Sequence, residues 1–378
     1  MSTTPNPETA IVQLPQVVRK AQLHTIDLFK LQQGSDQEHQ RLLDASTRDG
    51  FFYLNMTHDS FEPLMSTVNQ IHHLSKELFN YSAAEKAMFD VDLISPKKLN
   101  GYKPKGRNIV SRDGDRDGFE SWVLPRNGIM QLELEGFPHP PVVSDYMMEL
   151  RRLTSDLGRI SHTIFSALSQ MLCLKPGKCF QDFHDQSQPT PDILRLLKYH
   201  ANTKPLGVPQ TPHTDLGSLT FVFSNVPGLQ VLPANTPEPP QESDWVFVAP
   251  IVGHAVVNLG DCMSMMTNGK LKSALHRVGP LPNTAMPERF SFAYLMRPAP
   301  STLLEILDSP VIEKLPGDRC KEIGKPVTSE EWISRKFKAL RAGQGKGHVD
   351  RDGENILTGG RGVMVSMSRE AVFHQLCA

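Results

Sequence analysis

What the chain lacks narrows its possible roles. Its 378 residues hold five cysteines, Cys173, Cys179, Cys262, Cys320 and Cys377. They are dispersed, odd in number and form no CxxC pair, which excludes a disulfide scaffold and a thiolate zinc finger. Reduced thiols in a cytoplasmic protein are the simpler expectation. No run of about 18 apolar residues occurs, so no membrane-spanning helix is expected. Forty basic residues face forty-one acidic ones, a net charge of −1. No field of one sign is available to recruit nucleic acid or an anionic membrane. The first twenty residues lack the charged start and apolar stretch of a signal peptide. The last five, His374 to Ala378, carry no CaaX box or other address. There is no internal repeat.

Apolar residues make up 39% and charged residues 21% of the chain, the composition of a globular protein with a sizeable core. Residues 1–20 are rich in Pro and Thr and read as a loose segment. Thr25-Ile26-Asp27-Leu28 and Phe51-Phe52-Tyr53-Leu54 read as strands. Helices are expected over 36–49, ending at Gly50, over about 60–79, and from Ala83. Residues 95–118 lack any period and read as a long binding loop or lid. From Tyr146 to Met171 apolar residues recur at steps of three and four, predicting a long helix able to lie across a sheet. After Pro191 the pattern becomes strands: 193–199, 219–223, 229–232, 245–249, 255–259 and 289–296. Short strands punctuated by Gly, Pro and Asn predict a double-sheet jelly roll or barrel. A closing helix is expected near Ser329 to Arg341, followed by a Gly-rich stretch at 342–362. The expected organisation is therefore a helical and mixed region at 21–190, a jelly-roll core at 191–300 and a helical extension at 301–378, all one structural unit.

Three short pieces of the second half point to one metal site. In His213-Thr214-Asp215 the outer two residues point the same way if the backbone is extended. His276, in Leu275-His276-Arg277-Val278, must come from another strand. Two imidazoles and one carboxylate form the facial triad of non-haem Fe(II) oxygenases, which leaves coordination positions open. Absence of thiolates argues against structural zinc. In Arg289-Phe290-Ser291-Phe292-Ala293-Tyr294 the alternation places Arg289, Ser291 and Ala293 on one face and the aromatics on the other. Such an arginine and serine suit a carboxylate.

At these residues the chain resembles the isopenicillin N synthase-like branch of the 2-oxoglutarate and Fe(II)-dependent dioxygenases. Further matching pieces are Gly228-Leu229-Gln230-Val231, Val256 to Asp261, Asn268-Gly269 and, towards the N-terminus, Thr25 to Leu28, Gly50-Phe51-Phe52, Glu85-Lys86 and Gly101-Tyr102. The resemblance spans about residues 22–300. The segment from Thr328, with Glu331-Trp332 and Thr358-Gly359-Gly360, is similar to extensions of fungal members and suggests specialised metabolism. The resemblance implies a mainly β fold with flanking helices and a double-stranded β-helix core. It implies Fe(II) on His213, Asp215 and His276, with 2-oxoglutarate and dioxygen as co-substrates. The distal carboxylate of 2-oxoglutarate would meet Arg289 and Ser291, and Tyr199 falls where relatives place a tyrosine that touches this co-substrate. Relatives in plants commonly have Asn-x-Tyr at that strand; here it is Leu197-Lys198-Tyr199.

The expected activity is oxidation of a small specialised metabolite by hydroxylation, desaturation or ring rearrangement. Expected substrate contacts are Tyr102, Phe221, Phe223 and Met296, with Phe119, Trp122 and Arg297 as further candidates. Arg107, Arg112 and Arg116 could steer an anionic substrate or simply be solvated charges. Two alternatives stay open: an Fe(II) oxidase that needs no 2-oxoglutarate, and a non-catalytic small-molecule binder on the same fold. No nucleic-acid or membrane partner is expected.

Overall fold

A computed structural model describes residues 12–95, 97–108, 116–133, 136–201, 210–237, 240–313 and 326–342. Alternating apolar runs bounded by turn residues become strands here because each can bury one pleated face. In chain order they are β1 (His24–Asp27), β2 (Phe51–Asn55), β3 (Gly101–Lys103), β4 (Phe119–Pro125), β5 (Ile193–Tyr199), β6 (Gln210–His213), β7 (Leu219–Phe223), β8 (Leu229–Val231), β9 (Val246–Phe247), β10 (His254–Leu259), β11 (His276–Val278) and β12 (Arg289–Met296). They form an eight-stranded sheet in the order β1-β2-β10-β7-β12-β5-β4-β3 and a four-stranded sheet in the order β6-β11-β8-β9. β1 runs parallel to β2, and the other pairs are antiparallel. This is the expected jelly-roll architecture of two facing sheets, with the N-terminal segment supplying β1 to β4 at both edges of the larger one.

Alternation along the strands divides the large sheet into two faces. Phe52, Leu54, Trp122, Leu194, Leu196, Phe221, Val257 and Phe292 belong to an apolar core shared with the helices. Phe51, Tyr53, Phe119, Leu197 and Tyr199 point the other way, into a smaller cluster completed by Leu229, Val231, Val246 and Val278 of the small sheet. The helix Glu62–Asn80 lies on β5 and β12. The long helix Met147–Met171 packs on that helix and on Asp36–Arg48 and also reaches the sheet, where Ser161 Oγ lies 2.6 Å from Met296 Sδ of β12. At Ala83–Ala87 a capping box fixes the start: Ser82 N donates to Glu85 Oε2 (2.7 Å) and Glu85 N to Ser82 Oγ (3.3 Å).

The stretch expected as a lid differs. Within 95–118 only β3 is a strand among the described residues; β4 follows directly after the stretch, with Tyr102 opposite Trp122 and the whole of β4 paired along β5 from Phe119↔Tyr199 to Pro125↔Ile193. The pairing satisfies the backbone groups and buries Phe119, Trp122 and Leu124, which outweighs the weak local signal left by Glu120 and Ser121. Arg107 pairs with Asp90 and Asp92, and Arg116 donates to Gly106 O (3.1 Å). Arg112, the Gly-rich stretch 343–362 and Thr358 to Gly360 lie outside the described residues, as do residues 1–11 of the loose N-terminal segment.

Candidate functional site

His213 ends β6 and His276 begins β11, and antiparallel pairing sets the two directly opposite each other. Their ring centroids are 4.3 Å apart. The turn after β6 brings Asp215 to the same point, with Oδ1 at 4.0 Å from His213 Nε2 and 3.9 Å from His276 Nε2. One donor atom from each of the three lies within 4.8 Å of the others, and among the described residues this is the His/Cys/Asp/Glu group so arranged.

The surroundings fix the protonation of each donor. His213 Nδ1 lies 2.9 Å from Thr211 O, and His276 Nδ1 lies 3.1 Å from Ala274 O. Only N–H can satisfy a carbonyl, so the proton sits on Nδ1 and the Nε2 lone pair faces the common point. Burial, reinforced by facing His276, pushes His213 down to about 3. Burial alone would raise Asp215. The two imidazoles and hydrogen bonds from Asn258 Nδ2 (2.8 Å) and Thr220 Oγ1 (2.7 Å) to Oδ2 more than offset it, holding the carboxyl at about 2. Two imidazoles that turn Nε2 to one point and one carboxylate with its second oxygen already engaged fit a divalent first-row metal such as iron. Gln210 Nε2 lies 3.3 Å from His213 Nε2, so this amide faces the lone pair that a metal would take and would have to turn away.

The loop carrying Asp215 is held from behind. Asp261 N donates to Asp215 O (2.7 Å) and Cys262 N to Gly217 O (3.0 Å). The approach is close: a Cβ on Gly217 would lie 2.2 Å from Met296 O, and one on Gly260 would lie 2.3 Å from Gly217 O. The helix Ser329–Ala342 closes the arrangement. Lys336 Nζ donates to Thr214 O (2.8 Å), to Thr214 Oγ1 (2.7 Å) and to Asp261 Oδ2, and Trp332 Nε1 donates to Leu216 O (3.2 Å).

Arg289 and Ser291 lie on the barrel-facing side of β12, as their alternation predicts. Arg289 is buried; its Nη1 donates to Ser291 Oγ (2.9 Å) and its Nε to Val226 O (3.1 Å). No carboxylate meets it among the described residues. Arg289 also lines a small cleft together with Tyr53, Val222, Leu229 and Val256. Tyr199 stands directly across the ladder, its ring 5.1 Å from Arg289 Cζ and its hydroxyl donating to Gln210 Oε1 (2.5 Å).

Four expected substrate contacts do not join this group. Phe221, Phe223 and Met296 point from β7 and β12 into the helix-facing core, where Phe223 stacks on Phe292 with centroids 4.8 Å apart. The cause is pleat parity: Thr220 reaches Asp215, so Phe221 beside it must face away. Tyr102 lies on that outer face as well, and its hydroxyl donates to Glu120 Oε2 (2.6 Å) beside Lys86. Trp122 shares its fate; Phe119 does face the barrel. Arg297 is buried against Asp192, Pro191 and the end of β12. Sequence reasoning misses Thr220, Asn258 and Lys336. Thr220 and Asn258 each interrupt an apolar strand, a usable signal; Lys336, in an amphipathic helix far along the chain, offers none.

Residues 190–298 match the family described as the 2OG-Fe(II) oxygenase superfamily. The 2-oxoglutarate-dependent dioxygenase gloE of Glarea lozoyensis is 30% identical over 344 residues, covering 90% of this chain and 93% of the relative. Oxidoreductase vrtI of Penicillium aethiopicum is 30% identical, covering 90% of this chain and 75% of the relative. Among solved structures, a full-length Neurospora crassa protein in complex with alpha-KG superposes with a TM-score of 0.68 at 22% identity, covering 84% of this chain and 96% of that one. JOX2 in complex with 2OG, Fe and JA gives 0.65 at 23% identity, covering 91% and 92%. These structures share the jelly-roll fold. The family match at 190–298 and the kinship to gloE and vrtI, each over 90% of this chain, place it in the 2OG-Fe(II) oxygenase superfamily, as an enzyme that depends on Fe(II) and 2-oxoglutarate.

Proposed function

We propose that His213, Asp215 and His276 hold the iron, that Arg289 and Ser291 bind the distal carboxylate of 2-oxoglutarate, and that the enzyme oxidises a small specialised metabolite. The observation that carries this reading is the convergence of two Nε2 lone pairs and one carboxylate oxygen on a single point, each locked by a partner on its far side. Iron bound there with 2-oxoglutarate supplies the activation of dioxygen that oxidises a substrate C–H bond. The protein's share is positional. Thr211 and Ala274 carbonyls keep both imidazoles in the ligating tautomer, and Asn258 and Thr220 leave Asp215 one free oxygen. Arg289 offers a planar fork, with Tyr199 as a wall beside it. Phe51, Val231 and Val278 keep water from the interior.

The buried, carboxylate-free guanidinium of Arg289 favours 2-oxoglutarate dependence over an oxidase that needs no co-substrate. The specialised-metabolite assignment rests on kinship to fungal dioxygenases such as gloE and frbH. No described helix is long and apolar enough to cross a membrane. A cytoplasmic setting belongs to the same proposal, supported by the free thiols of Cys173, Cys179 and Cys262.

Anaerobic titration with Fe(II) tests the ligand set. The parent should bind one ion per chain and His213→Ala should lose it; equal binding by both overturns the assignment. Succinate formed in step with substrate oxidation checks the co-substrate.

A further inference from the structure

The barrel-facing residues of β12, β5 and β4 form a grid fixed by register. One row is Arg289, Tyr199 and Phe119; the next is Ser291, Leu197 and Ser121; the third is Ala293, Arg195 and Val123. Arg195 thus sits two rows from Arg289. Its row adjoins the one holding Thr220, because Ala293 pairs with Val222 and Leu295 with Thr220. Thr220 in turn holds Asp215, so Arg195 lies on the metal side of Arg289.

This guanidinium is uncommitted. Its Nε is enclosed with no hydrogen-bond partner, and its described contact is with the Phe119 ring, 5.5 Å from Cζ. Arg195 is partly exposed, whereas Arg126 and Arg297 are buried; their Nε atoms also lack a partner, but Arg126 donates through its other nitrogens to the carbonyls of Gln186 and Gln188, and Arg297 to that of Pro191. The nearby anions are already engaged. Asp117 pairs with Lys103 Nζ (2.7 Å) and accepts from Gly106 N and Asn108 Nδ2. Asp215 belongs to the metal site. Ser121 Oγ, diagonally across the ladder from Arg195, is also buried without a partner. A fork and a hydroxyl therefore face the interior together, the chemistry that Arg289 and Ser291 present on β12.

Charge makes the point sharper. With the site filled as proposed above, the metal dication, the Asp215 carboxylate, the two carboxylates of 2-oxoglutarate and the Arg289 guanidinium cancel. Arg195, partly exposed with its Nε enclosed, is left over without a counter-charge among the described residues. We propose that Arg195, assisted by Ser121, binds a carboxylate of the organic substrate, so that the enzyme acts on an organic acid whose anionic end is held within the barrel. The inference rests on the iron and 2-oxoglutarate assignment.

The test uses the full chain loaded anaerobically with Fe(II) and 2-oxoglutarate. Binding of benzoate, phenylacetate and hexanoate is measured by calorimetry against their primary amides. The parent should favour the acids by about tenfold or more, the scale of a charge-assisted fork, and Arg195→Gln should bring acid and amide within about twofold. Arg195→Lys should keep a good part of the preference. Because the guanidinium has no partner, Arg195→Gln should melt at or above the parent temperature; a lower melting point marks a structural role and overturns the proposal. So does a preference that survives in Arg195→Gln, or a parent that favours no acid. A large loss of 2-oxoglutarate affinity in Arg195→Gln assigns the guanidinium to the co-substrate and overturns it too. Failure of the parent to take up iron, read before any probe is added, instead overturns the metal site.

Discussion

The two faces of the eight-stranded sheet share one backbone and differ in almost everything else. Towards the helices, Phe52, Leu196, Phe221, Phe292 and Tyr294 are fully buried in an apolar core. Towards the small sheet, the same strands present Thr220, Asn258, Arg195, Arg289 and Ser291, with buried polar atoms at Ser121 and Asn258 that no protein group satisfies. The first face holds the fold, although it too encloses the unpartnered Trp122 Nε1 and Tyr294 hydroxyl; the second gathers the charged and ligating side chains. A strand can serve both because side chains alternate, so stability and function are separated by a single residue step.

Substitutions at adjacent positions should break the comparison most clearly. Phe221→Ala should cost about 3–5 kcal/mol of stability in denaturant unfolding and leave iron affinity unchanged. Thr220→Val should do the reverse, keeping stability and weakening iron binding about tenfold. If both variants lose both properties, the faces are not independent. Arg289→Ala should raise the 2-oxoglutarate concentration needed for half-saturation by roughly 2–5 kcal/mol, about thirty-fold to several-thousand-fold, with little change in iron binding. An unchanged requirement removes Arg289 from the site. Lys336→Met sharpens the comparison from outside the sheet. Freed of its cation, the loop around Thr214 should relax, and iron affinity should fall roughly ten- to a hundred-fold. Arg at this position should restore part of it; a variant with normal affinity shows that the helix only covers the loop.

Acid provides the smallest effect. His72 and His184, on the helix side, are pushed by burial down to about 4, and His213, on the barrel side, to about 3. Unfolded, each takes a proton near 6.5 that the folded site refuses, so stability falls as pH drops below 6.5. At pH 6 each histidine should cost about 1 kcal/mol, read from melting curves of the metal-free protein. Iron on His213 would exclude the proton even more firmly than burial does, so the loss in acid should persist with iron bound; melting curves that lose their pH dependence when iron is added contradict its assignment.

Much of this can be read from the chain. Arg289-Phe290-Ser291 displays its own alternation, and the strands at 193–199, 219–223 and 289–296 match because they are bounded by turn residues, whereas 245–249 shortens to Val246–Phe247. Phe221, Phe223 and Met296 fall on the opposite face from the one expected, because periodicity reports that two faces exist and not which one meets the ligand. Tyr102 and β4 escape a local reading because a three-residue strand and one interrupted by Glu120 and Ser121 gain their stability from partners far away in sequence. Arg195 passes as an ordinary strand residue: its meaning lies in the partners it lacks, which only packing reveals.

The tether from Lys336 to Thr214 bears on how the enzyme is made. Protein chains fold as they leave the ribosome, N-terminal parts first. The strands that carry His213 and His276 can pair well before residue 336 has been translated. The loop holding Asp215 gains its cationic latch only afterwards. Completion of the proposed metal site thereby waits on residue 336, so a chain ending before it would lack this latch on the Asp215 loop.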